Sequence, residues 1–499
     1  MKSLLQYYDN AYVALINWLY KNIVVLKLKS PFVLVLLVLA TAFIVFVTTK
    51  IGFVFGVALF IGIAGTLYLL LLFIYPKIGF FTVFVIPFGM YITERKFGQS
   101  IPFATAIQFI MFLTLVVILF KKIAKKDYSF SFLHNNVTYA FLIVFLYNMF
   151  QALNPNLMNM SGWFLIAKGN FALLCTYIVS QYLARDFKFV KQLVILWVVM
   201  ASITALYACY QEWFGLMDFE VRWVHADNFR FKRIFVQGRY RKFSLLSDPT
   251  SYGIFMASST IITLILATRP MKLMLRILLL VLGVFMFLGM GYSGTRTAYA
   301  MIPAAFLIFG FLTINNIRTL VFAIIGSIAF AYILFGPIYG SAMVRRIRTT
   351  FDTEDASLNV RDVNRHAIQP YIHDHPIGGG VMTSGASGLK YNPNHDLAGF
   401  PPDSGYLKLA LETGWIGLII FMTFLFVGLK EGIRNYYYSK NLTIKFYYLA
   451  FVTFVFGITI ALYAQVVTAQ IPISFLFYPI MGLMSSMKYL DKERINKNI

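Results

Sequence analysis

The sequence predicts an all-α polytopic membrane protein with about fourteen transmembrane helices and a large extracytoplasmic loop between the eleventh and the twelfth. Three observations carry this. Of 499 residues, 59% are hydrophobic and only 13% charged, against about 25% charged in an average soluble domain. Apolar runs recur along the whole length, each close to the 17–25 residues needed to cross a bilayer core of about 30 Å. Lysine and arginine concentrate in alternate loops, the bias that orients a chain in a membrane.

The apolar runs fall at 31–48, 51–74, 78–92, 102–120, 137–152, 163–183, 190–214, 248–267, 272–290, 297–313, 319–336, 405–428, 445–467 and 470–487. With a cytoplasmic amino terminus, the loops at 1–30, 75–77, 121–136, 184–191, 268–276, 314–318, 429–445 and 488–499 lie inside. They hold 24 of the 43 basic and 6 of the 20 acidic residues, so the inside carries +18 (24 − 6) and the rest +5 (19 − 14). Both termini are then cytoplasmic, and 1–499 reads as a single integral membrane unit. Residues 1–30 contain Tyr7, Tyr8, Asp9 and Asn10 and no small-residue cleavage site, so they read as a cytoplasmic interfacial segment and not as a signal peptide. Cys175 and Cys209 fall inside spans and read as small apolar core residues. The net charge of +23 is the ordinary bias toward anionic lipid and calls for no nucleic acid.

Two expected outer loops break the bias. The first, 215–247, carries Arg222, Arg230, Lys232, Arg233, Arg239, Arg241 and Lys242 against three acids between Asp218 and Lys242, interleaved with Trp223, Phe229, Phe231, Phe235 and Tyr240. Guanidinium groups grip phosphate oxygens in pairs and aromatic faces stack on sugars, so Arg233 and Arg239 are candidates for binding a phosphorylated glycan. Lipid headgroups are the competing ligand. The second loop, 338–404, holds Arg345, Arg346, Arg348, Arg361, Arg365, the turn "HPIGGGVMTSGASG" and four of the six histidines. Its mixed composition reads as an ordered cap with short helices.

Metal and nucleotide chemistry find little support. His373 and His375 straddle Asp374 without a companion ligand motif, "DTED" at Asp352 to Asp355 reads as a solvated turn, and no phosphate-cradling or dinucleotide-binding motif occurs. Within the twelfth span, "SGYLKLALETGWIGL" places Lys408 and Glu412 four residues apart. They share one helical face and can pair toward the bundle interior, as a functional or an orienting pair, with Lys168 an alternative partner for Glu412. Asp248 ahead of Pro249 reads as a helix cap.

Four stretches taken in order, "GRYRKFSLLSDPTSYG", "SGTRTAYA", "NVRDVNRHAIQPYIHDHPIGGGV" and "DSGYLKLALETGWIGL", resemble the O-antigen ligase and polymerase superfamily of bacterial cell envelopes. The resemblance covers about 235–420 by motif. It implies transfer of a glycan from undecaprenyl pyrophosphate to an acceptor hydroxyl at the outer face of the bacterial cytoplasmic membrane, without metal, nucleotide or other cofactor. By resemblance Arg241, Arg296 and Arg361 match family arginines, and they and Arg365 would hold the lipid pyrophosphate. Ligases supply a histidine where this chain has Asp403, so Asp403 becomes the expected proton acceptor; His395 reads as a solvated loop histidine and is the alternative if the loop folds back. The departure favours a polymerase over a ligase acting on lipid A–core. A lipid-linked oligosaccharide flippase is a second alternative, disfavoured because most of the cations lie in loops. A flippase and a chain-length regulator are the protein partners implied.

Overall fold

Helices occupy every one of the fourteen apolar runs. In the computed structural model, residues 31–46, 53–98, 102–236, 238–337, 342–348 and 356–497 are described. The interfacial reading of 1–30 and the "DTED" turn lie outside them. The helices are α1 Pro31–Phe46, α2 Phe53–Ile74, α3 Lys77–Phe97, α4 Phe103–Ala124, α5 Asn136–Phe150, α6 Met160–Leu183 and α7 Phe187–Trp213. Then come the short α8 Asp218–His225 and α9 Asn228–Ile234, followed by α10 Pro249–Ala267, α11 Leu273–Tyr292, α12 Arg296–Leu312 and α13 Ile317–Phe335. The order closes with α14 Ala342–Arg348, α15 Ala356–Asp374, α16 Gly385–Tyr391, α17 Gly405–Tyr438, α18 Leu442–Leu462 and α19 Ser474–Lys497. Among the described residues, nine helices are long and apolar enough to cross a membrane, and three shorter apolar ones accompany them. The protein is therefore an all-α polytopic membrane protein.

The chain divides into two compact units. The first, Met1–Gly79 with Leu113–Ser129, pairs α1 with α2, and Lys121 Nζ donates to the Ile74 carbonyl at 2.7 Å. The second, Phe80–Phe112 with Phe130–Ile499, carries everything that follows. Its centre is α10, 94% buried over its apolar window and packed by α7, α11, α12 and α18. Beside it, α17 packs on α5, α18 and α19, and α15 lies against α17.

Side-chain caps start these helices where the sequence supplies them. Asp248 Oδ1 accepts from the amides of Thr250 and Ser251 ahead of α10, as expected for an Asp-Pro start, and Asn441 Oδ1 accepts from Thr443 and Ile444 ahead of α18. Cys175 and Cys209 are buried free thiols.

The basic stretch differs from the loop expected. It folds as α8, α9 and a two-stranded antiparallel hairpin, β1 Phe235–Val236 with β2 Arg239–Tyr240, around a small core of Val224, Ile234 and Phe243. Asp227 Oδ1 caps α9 by accepting from Phe229 and Arg230. The folding uses up some of the cations. Lys242 is buried 3.2 Å from Glu212, and Arg230 stacks over Trp223 at 4.2 Å while donating to its carbonyl. Alternating aromatic and basic residues here build a small folded unit, because Trp223, Phe231 and Tyr240 turn toward its core while Phe229, Arg222, Lys232, Arg233 and Arg239 stay exposed.

Candidate active site

The α17 segment that carries Lys408 and Glu412 is broken two residues beyond Glu412. Gly414 has φ 71° and ψ 176°, and a Cβ there would collide with the Pro376 carbonyl, so only glycine fits. The break diverts three helix carbonyls from their usual partners. The amides of Gly379 and Gly380 donate to the carbonyls of Leu411 and Glu412, each at 2.9 Å, and Tyr147 Oη donates to that of Thr413 at 2.8 Å. In return the Ile416 amide donates to Pro376 at 3.3 Å. The "HPIGGG" turn is thus a peg inserted into the gap in α17, and two stretches about 35 residues apart form one structure. Gly378, φ 75°, closes the turn where a Cβ would meet the Gly414 amide. From the opposite side, Asn154 Nδ2 donates to the Ile377 and Gly378 carbonyls at 3.0 and 3.1 Å, and Asn156 Nδ2 donates to Gly378 at 2.9 Å.

Directly above the break, Glu412 is 5% exposed. Its Oε1 accepts from Ser384 Oγ at 2.6 Å and lies 3.8 Å from Lys408 Nζ. The i, i+4 pair expected from the sequence therefore exists, with a serine from the cap added. Lys168 is not the alternative partner of Glu412; its Nζ reaches Thr105 Oγ1 at 3.4 Å. Asp403 is half-buried two residues before α17 begins, and Ser404 caps the helix by accepting from the Leu407 amide at 3.4 Å. A crevice of about 150 Å³ opens beside Gly405, Lys408 and Glu412 and reaches Asn148, Asn170 and Thr468.

His395 corrects another expectation. In place of a solvated loop histidine it is 7% exposed, folded against Gly379, where a Cβ would strike the ring. Its Nδ1 accepts from the Leu397 amide at 3.1 Å. Burial holds its pKa below the ordinary 6.5, against the raising pull of Asp396 and of hydrogen bonds to the Gly379 and Asn156 backbone. Nearby Tyr371 stacks on His375 at 4.0 Å, and burial, helped by Asp396, pushes its hydroxyl up to about 12. Among the described residues no group of three His, Cys, Asp or Glu side chains is arranged to hold a metal ion.

The arginines occupy a second cluster. Arg241 donates from Nε to the Ser293 carbonyl at 2.9 Å, from Nη2 to Thr295 Oγ1 at 3.1 Å and from Nη1 to the Arg233 carbonyl at 3.2 Å. Thr295 Oγ1 in turn donates to the Pro249 carbonyl at 2.9 Å. One guanidinium thus ties the hairpin to the α11–α12 turn, next to the start of α10. Arg233 Nη2 lies 3.9 Å from Asp248 Oδ1, and Arg296 opens α12, half-buried, beside this turn. Arg239 is exposed. The structure brings Arg233, Arg241 and the "SGTR" turn together but sends Arg365 elsewhere: its Nη1 and Nη2 donate to Tyr463 Oη and the Tyr463 carbonyl at 2.7 and 3.0 Å. Arg361 lies in α15, and its side chain is outside the described residues. Between the two clusters runs a polar chain, with Ser251 Oγ 2.7 Å from Asp248 Oδ2 and 3.1 Å from Gln470 Oε1, two residues beyond Thr468 of the crevice.

Sequence reasoning missed the anchor of the basic unit. Arg95 of α3, 5% exposed, donates from Nη1 to the Ser244 carbonyl at 2.6 Å and from Nη2 to that of Leu246. It lies 4.0 Å from Glu220 Oε1 and stacks on Phe243 at 4.3 Å and Trp223 at 4.8 Å. Glu220 also accepts from Tyr207 Oη and Gln211 Nε2 at 3.0 and 2.8 Å. The only signal was Glu220, one of three acids in the basic stretch.

A family model described as O-antigen ligase matches residues 281–422, a span that runs from α11 to the middle of α17 and contains Arg296, Arg361, Arg365, His395, Asp403, Lys408 and Glu412. No curated protein matches the chain. The match supports the O-antigen ligase and polymerase superfamily for this protein and indicates glycosyl transfer of that general kind.

Proposed function

We propose that the protein transfers a glycan from undecaprenyl pyrophosphate to the hydroxyl of another repeat unit, as a polymerase at the outer face of the bacterial cytoplasmic membrane. The observation that supports this most is Asp403, a half-buried carboxylate inside the O-antigen ligase match, at the head of a helix whose seat is fixed by the glycine peg. In this reading the acceptor oxygen attacks the anomeric carbon and the carbon–oxygen bond to phosphate breaks. The hydroxyl proton passes to Asp403, and the electron pair leaves with the lipid pyrophosphate. General-base help of this kind is worth about 10²- to 10⁴-fold, and fixed cations aimed at the leaving group lower the barrier further. Arg241, Arg296 and Arg361 are the candidates for that charge, with Arg233 and Arg239 receiving the pyrophosphate first.

Arg365, held on Tyr463, is a candidate only if a ligand displaces those bonds. His395, whose Nδ1 already accepts a backbone amide, is the weaker candidate of the two. The description of the family model favours the ligase reading, in which the acceptor is lipid A–core; the aspartate in the place of the ligase histidine favours polymerisation. Purified protein given lipid-linked repeats in excess chelator should produce a ladder of longer glycans. A single addition to lipid A–core and no ladder would establish the ligase instead, and activity restored only by magnesium or manganese would remove the metal-free mechanism.

A further inference from the structure

The crevice beside α17 contains polar groups with nothing to bind. Asn170 stands in the middle of α6, half-buried, and among the described residues its amide has no hydrogen-bond partner. Lys408 Nζ has only Glu412 Oε1 at 3.8 Å, beyond hydrogen-bond reach, and Asn148 spends Nδ2 on the Val144 carbonyl at 2.8 Å while its Oδ1 has no partner among the described residues. Polar groups facing a space inside apolar helices are costly unless something fills the space and completes their hydrogen bonds.

Resting on the glycosyl-transfer reading, we infer that this crevice is the subsite for the terminal sugar of the acceptor chain, a neutral polyhydroxylated ring held by Asn148, Asn170, Lys408 and Glu412. Charge selects the ligand class. Lys408 is balanced by Glu412 and among the described residues no arginine lines the crevice, so it lacks the surplus positive charge that a pyrophosphate requires. An amide, an ammonium and a carboxylate instead match the mixed donors and acceptors of a sugar's hydroxyl groups. The aromatic rings of Phe141 and Tyr478 line the same space and suit the C–H faces of a pyranose. Size agrees: about 150 Å³ is room for roughly five waters at ~30 Å³ each, close to one sugar ring.

Position selects the acceptor over the donor. Gly405, two residues beyond Asp403, lines one end of the crevice, so a ring whose end reaches Gly405 presents its hydroxyl on the side of the carboxylate that takes the proton. The donor's reacting carbon carries no such proton and is bonded to the pyrophosphate, which belongs with the arginines. Gln470, hydrogen-bonded to Ser251, stands between the two sides.

The test uses full-length protein in nanodiscs, the lipid-linked repeat as donor and the repeat oligosaccharide freed from its lipid by mild acid as acceptor. Asn170→Leu removes the amide and keeps the branching of the side chain, and Leu173→Trp fills the crevice. Acceptor KM should rise about 3- to 10-fold in Asn170→Leu, the loss expected for one or two neutral hydrogen bonds, and further in Leu173→Trp, with donor KM unchanged. Saturation-transfer NMR should show the oligosaccharide in contact with wild type and not with Leu173→Trp, at matched thermal stability. Wild-type acceptor KM and NMR contact in both variants, or a rise in donor KM alone, would overturn the subsite. A wild-type protein that never consumes donor but still gives the NMR contact would sink the glycosyl-transfer reading and leave the sugar site standing.

Discussion

Helix α17 buries two glutamates nineteen residues apart (431 − 412), and they are held in opposite ways. Glu431, 4% exposed, has two cations on one oxygen, Arg434 at 2.6 Å and Lys488 of α19 at 3.5 Å, and Asn435 beside it donates to the Met484 carbonyl at 2.9 Å. The helix around it is unbroken. Glu412 has a neutral serine as its close partner and a lysine too far to hydrogen-bond, in a helix interrupted two residues later. A carboxylate saturated by charge is scaffolding, clamping α17 to α19. A carboxylate left with a distant counter-ion beside an open crevice is positioned for a ligand.

Substitutions should separate the two ends by what they damage. The largest effect belongs to Asp403→Asn, which keeps the shape and loses the proton acceptor: turnover should fall about 10²- to 10⁴-fold, measured as polymer formed by protein of normal abundance and melting temperature. Near-normal polymer length would return Asp403 to an ordinary loop carboxylate. Next comes Glu431→Ala, which strands two partly exposed cations. It should cost about 1–3 kcal/mol of stability after allowance for solvent screening, read as a lower melting temperature in detergent, with turnover per folded molecule unchanged. Glu412→Gln should do the reverse, keeping the Ser384 hydrogen bond and most of the stability, within about 1 kcal/mol, while raising acceptor KM. If Glu431→Ala were the variant that altered KM, the comparison would fail.

The smallest effect is titration. Burial keeps His395 below 6.5, so the unfolded chain binds a proton that the folded one resists. Its neutral ring supports the fold fully above about pH 6.5, and that support is lost progressively as pH falls below this value. Thermal unfolding followed from pH 7.5 to 5 should show a shallower acid limb in His395→Gln than in wild type. An identical limb would mean that another group sets the acid sensitivity.

What could be read from the sequence follows the range of the interactions. The apolar runs located the helices, Asp248 announced its cap, and the four-residue spacing announced Lys408 and Glu412, because each of these is settled within a turn or two of chain. The break at Gly414 was not legible, since "LETGWIG" continues an apolar helical pattern and the groups that satisfy the opened carbonyls come from Gly379, Gly380 and Tyr147. The same holds for Ser384 on Glu412. The basic stretch misled for a different reason: alternation of aromatic and basic residues is equally what a surface or a very small core requires, and Arg95, which decides the matter, is far away in sequence.

That separation has a consequence for how the protein is made. Arg95 leaves the ribosome 125 residues before Glu220 (220 − 95), a delay of about 6–25 s at the usual translation speed. Throughout that interval its guanidinium has none of the carbonyls, rings or carboxylate that later enclose it, and a bare cation stays in water or among headgroups. The end of α3 therefore remains at the interface while α4 to α7 are still being synthesised. It becomes an interior residue only when α8 and the hairpin fold over it, so the burial of Arg95 is a late step in assembly and marks the moment at which the basic unit is fastened to the bundle.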